Sequence, residues 1–283
     1  MSRIGLVMEG GAMRGMFTAG VIDVFMEQGI DFDGAIGVSA GATFGCNIKS
    51  RQIGRAVRYN TRYCNDDRYG SVKSWLKTGD LFDAKFCYSD IPNKLDIFDT
   101  KTFEENPMEF YVVATDVERG KAVYHRCRDG RERDIEWIRA SASLPLASKI
   151  VEIDEKKLLD GGIGDSIPIK YFRYKGFDKN VIILTRPSTY VKGKNKFTPL
   201  CAVLYRKYPE FVKSFANRHI RYNKTIQYIN DLEEKGEVFV IRPESELNIR
   251  ASETNPEELK RVYNLGRKVA VNRLDEMLEY MKK

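Results

Sequence analysis

The stretch Phe32-Asp33-Gly34-Ala35-Ile36-Gly37-Val38-Ser39-Ala40-Gly41-Ala42 decides how the chain is read. Its first half is a short apolar strand. Its second half opens a helix of small residues (Ala40, Gly41, Ala42, Gly45), with a sharp turn at Ser39 between the two. Gly37-Val38-Ser39-Ala40-Gly41 is thus a G-x-S-x-G sequence set at a strand-to-helix turn. A nucleophilic serine must stand exposed on a tight, strained turn, and the residues two before and two after it then crowd each other, so both must be small. The helix start also brings backbone N–H groups and a positive dipole to the place where negative charge would develop. Taken alone, the five residues suit a tight turn with an idle serine as well.

The same strand–turn–helix grammar stands upstream. Ile4 to Met8 reads as a short buried strand, followed by the glycine turn Gly10-Gly11-Ala12-Met13-Arg14-Gly15. A helix then runs from Arg14 to Gln28, with Phe17, Val21, Val24 and Phe25 at helical spacing and Gly29 closing it. A dinucleotide fingerprint is broken by Ala12, and a Walker A loop by Met16-Phe17 where Lys-Ser/Thr is needed. What remains is a row of backbone N–H groups at a helix start, an anion cradle that beside an activated serine has the form of an oxyanion hole.

Downstream, residues 50–107 read as polar and irregular, anchored by Trp75, Phe82, Phe86 and Phe98. Glu109 to Ala114 reads as a strand, Ile135 to Ser143 as a helix ended before Pro145, and 151–159 as a hairpin about Asp154-Glu155-Lys156. Val181 to Thr185 and Val238 to Ile241 are two more buried strands. Asn255-Pro256-Glu257-Glu258 opens a final helix carrying Leu259, Val262, Leu265, Val269, Leu274 and Leu278. Strands alternating with helices imply an α/β layered fold with a largely parallel sheet. No repeat or linker divides the chain, so one domain is expected.

Composition excludes several classes. The 283 residues are 42% hydrophobic and 31% charged, which rules out disorder and supplies one large core. No apolar run reaches the length of a membrane-spanning helix, and the run from Ile4 stops at Glu9-Gly10-Gly11, too short for a signal peptide. Five scattered cysteines (46, 64, 87, 127 and 201) never form a C-x-x-C pair, which argues against a disulfide framework or a structural zinc site. A soluble cytoplasmic protein is expected, with no cofactor and no metal.

A catalytic serine needs a base. The chain has two histidines, and both His125, in a strand-like run, and His219, in a basic helix, read as surface or structural residues. Asp160-Gly161-Gly162 is the alternative. It follows an apolar strand (Leu158-Leu159), and its glycines permit close backbone approach. An Asp has an ordinary pKa near 3.9, so burial must raise it before it serves as a base at neutral pH. By itself, Asp-Gly-Gly is more often a loop turn.

In order along the chain, Gly10-Gly11-Ala12-Met13-Arg14-Gly15, Gly37-Val38-Ser39-Ala40-Gly41 and Asp160-Gly161-Gly162 resemble the patatin-like phospholipases. Ala114-Thr115-Asp116-Val117 and Arg139-Ala140-Ser141-Ala142-Ser143-Leu144-Pro145 resemble further stretches of that family, and the likeness covers residues 4 to about 187. It is closest to the bacterial branch with an extra C-terminal region, which divides the chain into a catalytic core (1–187) and a C-terminal region (188–283) packed on it. The resemblance implies a three-layer α/β/α fold with a mostly parallel central sheet. It also implies a Ser–Asp dyad, with Ser39 as nucleophile, Asp160 as its base, and the backbone of Gly10, Gly11 and Ala12 as oxyanion donors. Arg14, Gly37, Gly41, Gly161 and Gly162 support the site. The family's glycine turn usually carries a third glycine where Ala12 stands. If that position needs positive φ, the Ala costs about 1 kcal/mol or more.

The implied activity is a serine acyl-ester hydrolase acting on lipids; alternatives are an acyltransferase using the same dyad and a regulatory protein that binds a membrane or a partner with little activity. Charge bears on the last. Residues 186–228 hold ten Lys/Arg and one acid, Glu210, whereas the rest of the chain is slightly acidic. From Leu204 to Ile229 apolar residues recur near helical period with Arg206, Lys213, Arg221 and Lys224 opposite, an amphipathic helix bent near Pro209. Such a face is either solvated or set against anionic lipid headgroups at the membrane periphery. No nucleic-acid motif accompanies the charge, so nucleic acid is not expected as a partner.

Overall fold

A computed structural model describes residues 2–282. Its centre is an eight-stranded sheet in the order β5-β6-β3-β2-β1-β7-β8, with β4 paired to β3. The strands are β1 (Arg3–Met8), β2 (Gly34–Val38), β3 (Glu109–Asp116), β4 (Lys121–Cys127), β5 (Val151–Ile153), β6 (Lys156–Asp160), β7 (Phe177–Ile183) and β8 (Val238–Ile241). β3, β2, β1, β7 and β8 run parallel, and β4 and β6 run antiparallel to β3. β1 and β2 have no polar side chain after Arg3 because both faces of the sheet are covered.

The helices are α1 (Gly15–Glu27), α2 (Ala40–Thr43), α3 (Cys46–Lys49), α4 (Arg55–Tyr63), α5 (Val72–Thr78), α6 (Thr100–Glu105), α7 (Glu132–Ala142) and α8 (Ile169–Tyr174). They continue as α9 (Thr198–Leu204), α10 (Pro209–Ala216), α11 (Arg218–Glu234), α12 (Pro256–Asn272) and α13 (Leu274–Lys282). The sheet's two faces feed separate cores. Leu6, Met8, Val112 and Ile183 pack with α1, α7 and α12, while Val7, Ile36, Ile182 and Val240 pack with Phe172 of α8 and Tyr222 and Ile229 of α11. This makes three layers, α/β/α. The last third of the chain contributes to both outer layers. α12 lies so close on α1 that a Cβ at Gly20 would stand 2.1 Å from the Tyr263 carbonyl oxygen, so only glycine permits that approach.

Four expectations need correction. Residues 50–107 are not irregular: they hold α4, α5, α6 and a π-helical stretch over Phe86–Leu95. The apolar periodicity there was masked by charge, since the buried stripe of α4 (Arg55, Ala56, Tyr59, Asn60) itself includes an arginine and is flanked by the exposed Arg58 and Arg62. Phe86 and Phe98 are buried anchors, but Trp75 is 44% exposed. The expected bent helix over 204–229 is instead broken into α9, α10 and α11. Pro209 begins α10 rather than bending a longer helix, and Asn217 separates α10 from α11. Finally, Arg273 divides the expected final helix into α12 and α13, while the Asn255 side chain caps α12 by accepting the Glu257 N–H at 2.9 Å.

Candidate active site

The glycines on either side of Ser39 have the steric role that the spacing required. A Cβ at Gly37 would lie 2.2 Å from the Gly41 carbonyl oxygen, and one at Gly41 would lie 2.5 Å from the Met8 carbonyl oxygen. Ser39 itself sits at φ 54°, ψ −120°, a conformation that favours glycine, between β2 and α2. Its backbone is over-determined: the N–H donates to Ser141 Oγ at 2.9 Å, and its carbonyl accepts from Ala42 and Thr43 at the start of α2. The residue is 8% exposed and opens on a cavity of about 110 Å³. That cavity is walled by apolar groups including Met13, Phe44, Ile91, Ile138 and Leu144.

Strand register brings Asp160 to the same place. β2 pairs with β3 as far as Val38 opposite Val113, and at the next residue of β3, Ala114, the partner is Asp160 of β6. Since β4 occupies the other edge of β3 over these residues, β6 continues the line that β2 leaves at Ser39. Gly161 is needed for this junction, because a Cβ there would meet the Val113 carbonyl oxygen at 2.0 Å. The Asp160 backbone is fixed by Ser143, whose carbonyl accepts its N–H, and by Thr115, whose hydroxyl donates to its carbonyl at 2.8 Å.

The Asp160 carboxyl is buried. Oδ1 accepts the Gly162 N–H at 2.8 Å, and Oδ2 has no hydrogen-bond partner among the described residues. Burial pushes its pKa up, opposed by the positive charge of Arg218, by the nearby Ser39 hydroxyl and by the Gly162 N–H. The Ser39 hydroxyl is thus close enough to act on the carboxyl while falling short of full hydrogen-bond geometry, as the unpartnered Oδ2 requires.

On the other side of Ser39 lies the glycine turn. A Cβ at Gly10 would stand 3.1 Å from the Ser39 Cβ, so Gly10 backs directly onto the serine. The Gly10 and Gly11 amides have no acceptor among the described residues. Ala12 does adopt positive φ, 48°, and opens a short 3-10 turn over Ala12–Arg14. Arg14 is largely buried beside Glu9, Arg186, Tyr190 and Tyr222; burial and the Arg186 charge push its pKa down, and its Nε has no partner.

Several residues that hold this end of the sheet have roles the sequence did not reveal. Glu9 is buried and its carboxylate accepts from Thr185 N at 2.6 Å and from Tyr222 OH at 2.7 Å, tying β1 to the end of β7 and to α11. Ser141 and Thr115 lie in stretches noted for their resemblance, but their bonds to Ser39 and Asp160 exist only through long-range pairing. Neither histidine belongs to the site. His125 stacks on Trp137 and bonds Asp134, and His219 bonds the Ala216 carbonyl. Among the described residues, His125, Cys127 and Asp134 are the group whose ligand atoms converge as if around an ion. Asp134 Oδ2 there accepts three backbone N–H groups, from Arg128, Asp129 and Gly130, and burial pushes the Cys127 thiol up. That cluster is a loop brace by chemistry, since its carboxylate is saturated with donors and its thiol stays protonated.

Comparison with known proteins places the chain in a family. The patatin-like phospholipase family matches residues 6–173. The chain belongs to the patatin-like phospholipases. A domain of unknown function, DUF6363, matches residues 208–282 of this family member. Among its relatives, YjjU of Escherichia coli is 29% identical over 94% of the chain and 75% of that protein. Lysophospholipase nte1 of Emericella nidulans is 29% identical over 62% of the chain and 11% of its own length. The NTE family protein Mb1092c of Mycobacterium bovis is 28% identical over 59% of the chain and 44% of its own length. Patatin membership supports lipid hydrolysis at the level of the family.

Proposed function

We propose that this patatin-like protein is a serine acyl-ester hydrolase that cleaves fatty acyl esters of lipids through Ser39 and Asp160. The observation that carries the reading is the register junction on β3, which sets a strained, positive-φ serine beside a buried aspartate with one oxygen free. Asp160 Oδ2 takes the Ser39 hydroxyl proton as Oγ bonds to the ester carbonyl carbon, and the carbonyl electron pair moves onto oxygen. The free amides of Gly10 and Gly11, with Ala12 and the N-terminus of α2, stabilise that oxyanion. Its collapse breaks the ester C–O bond, and the departing alkoxide takes the proton from Asp160. Water then loses a proton to Asp160 as it attacks the acyl-Ser39, the Oγ–acyl bond breaks, and the fatty acid leaves as Ser39 regains a proton. The raised pKa of Asp160 brings it nearer to what a base needs at neutral pH.

The substrate arrives from a membrane surface. On α9 the face carrying Phe197, Leu200, Val203 and Leu204 is exposed, while Cys201 and Tyr205 turn inward. Lys194, Lys196, Arg206 and Lys207 flank that apolar face and are all exposed, so its electrostatic complement is an anionic lipid surface. Inward, the Tyr205 hydroxyl accepts the Leu146 N–H, and Leu144 of the same loop lines the Ser39 cavity. No described helix is long and apolar enough to cross a membrane, so contact is peripheral. The deciding experiment is fluorophosphonate labelling of wild type against Ser39→Ala, read by intact mass, with hydrolysis of a p-nitrophenyl acyl ester alongside. One adduct and turnover in wild type alone are expected; a folded wild type that stays unlabelled would overturn the proposal.

A further inference from the structure

A second cavity, of about 480 Å³, adjoins the dyad but shares no lining residue with the Ser39 cavity. Lys121, Lys170, Arg218, Arg221 and Lys224 line it, against one acid, Asp165. Asp165 faces Arg221 and Lys170, and the buried Asp160 faces Arg218, so the five cations outnumber the carboxylates beside them. Asp165 is held by the Tyr124 hydroxyl at 2.9 Å, and burial pushes its pKa up. Other carboxylates of these elements are engaged elsewhere: Glu118 pairs with Lys157, Glu237 with Arg173 and Glu233 with Arg242. No ion pair reaches any of the five cations among the described residues.

The five have different footings. Arg221 is a fixed wall, donating to the Ile163 carbonyl and to Ser214. Arg218 is half-buried beside Gly162, where a Cβ would stand 2.8 Å from its Nη2, and its one side-chain hydrogen bond among the described residues is a long one to Ser166 Oγ at 3.5 Å. Lys121, Lys170 and Lys224 are exposed at the rim, with Lys170 over the Tyr228 ring. Cations that outnumber the carboxylates beside them repel one another, and a multiply charged anion between them turns that repulsion into attraction. A guanidinium fork at the base with ammonium groups at the rim matches a phosphate, whose oxygens accept from both.

We propose that this cavity is a binding site for a phosphate ester, held by Arg218 at its base and by Lys121, Lys170 and Lys224 at its rim. The phosphate comes either from a lipid headgroup at the membrane or from a soluble phosphate ester. The site requires neither the Ser39 nucleophile nor turnover, so it stands or falls independently of the hydrolase reading.

The test uses the full chain carrying Ser39→Ala, which leaves the cavity intact and prevents turnover. It is titrated calorimetrically with glycerol phosphate, and co-sedimented with phosphatidylcholine vesicles with or without phosphatidic acid. Lys121→Gln with Lys170→Gln is expected to weaken binding by about tenfold or more, as loss of two charged hydrogen-bond donors implies. Lys121→Arg with Lys170→Arg should retain it. Saturable binding of glycerol phosphate that falls in the Gln variant supports the site with a soluble source. Binding confined to phosphatidic acid vesicles, with the same loss, supports it with a lipid source. Binding of neither probe by folded protein overturns the proposal. So does an equal loss from Lys77→Gln with Lys268→Gln, exposed cations outside both the cavity and the α9 face.

Discussion

Asp160→Asn is expected to make the protein more stable and far less active. Asp160 Oδ1 accepts one N–H and Oδ2 has no partner, in a carboxyl that is buried. Asn keeps the acceptor toward Gly162, brings no charge to desolvate, and turns an N–H toward the Ser39 hydroxyl. A buried polar group left unsatisfied costs about 1–3 kcal/mol, and the variant should recover that order of stability at neutral pH, several degrees in Tm. The sign with pH follows from the raised pKa. Between the unfolded and folded pKa values the native state keeps a proton that the unfolded state has released, so wild-type stability falls as pH rises through that window. The gain from Asn is therefore full above the folded pKa and vanishes below the unfolded value, near 3.9. Loss of the base should lower turnover by about two to four orders of magnitude. Thermal melts across pH, paired with ester hydrolysis at each pH, measure both. An Asn variant that melts lower at neutral pH, or that hydrolyses ester at the wild-type rate, would refute the reasoning.

Asp165→Asn should keep most turnover, because Asp165 bonds Tyr124 rather than Ser39; steady-state kinetics of the two Asn variants side by side would expose a reversed assignment. Arg218→Gln removes the positive charge that holds the Asp160 pKa down, so the acid limb of the kcat/KM–pH profile should move to higher pH. Ala12→Gly relieves a positive-φ alanine and should add up to about 1 kcal/mol in urea unfolding, an increment that a distorted loop would not give. Leu200→Asp with Leu204→Asp should weaken sedimentation with anionic vesicles at least tenfold, while hydrolysis of a soluble ester is unchanged.

Local chemistry made much of this legible. The crowding at Gly37 and Gly41 and the cap at Asn255 each follow from a few neighbouring residues, and each has its atomic counterpart. Where charge hid the apolar pattern, as in α4, or where one Asn or Arg sufficed to end a helix, as at Asn217 and Arg273, the sequence reading failed. Propensity over a few residues does not set where such a helix ends.

The ten cations of residues 186–228 divide the two kinds of information. Their excess is a property of the sequence, but their direction is not. Lys194, Lys196, Arg206, Lys207, Lys213 and Lys224 are exposed, whereas Arg186, Lys192, Arg218 and Arg221 turn partly inward. Lys192 there is pushed down to about 8, first by burial and then by Arg218. By itself the sequence determined the alternating α/β order, the elbow at Ser39 and the candidacy of Asp160, because turn sterics and apolar period act over a few residues. Only the tertiary structure decided that Ser39 and Asp160 meet, since β2 and β6 share one edge of β3 across more than a hundred residues of chain. No local preference carries a register of that range. It is fixed by burying both faces of the sheet at once, which aligns the two strand ends within a single ladder step.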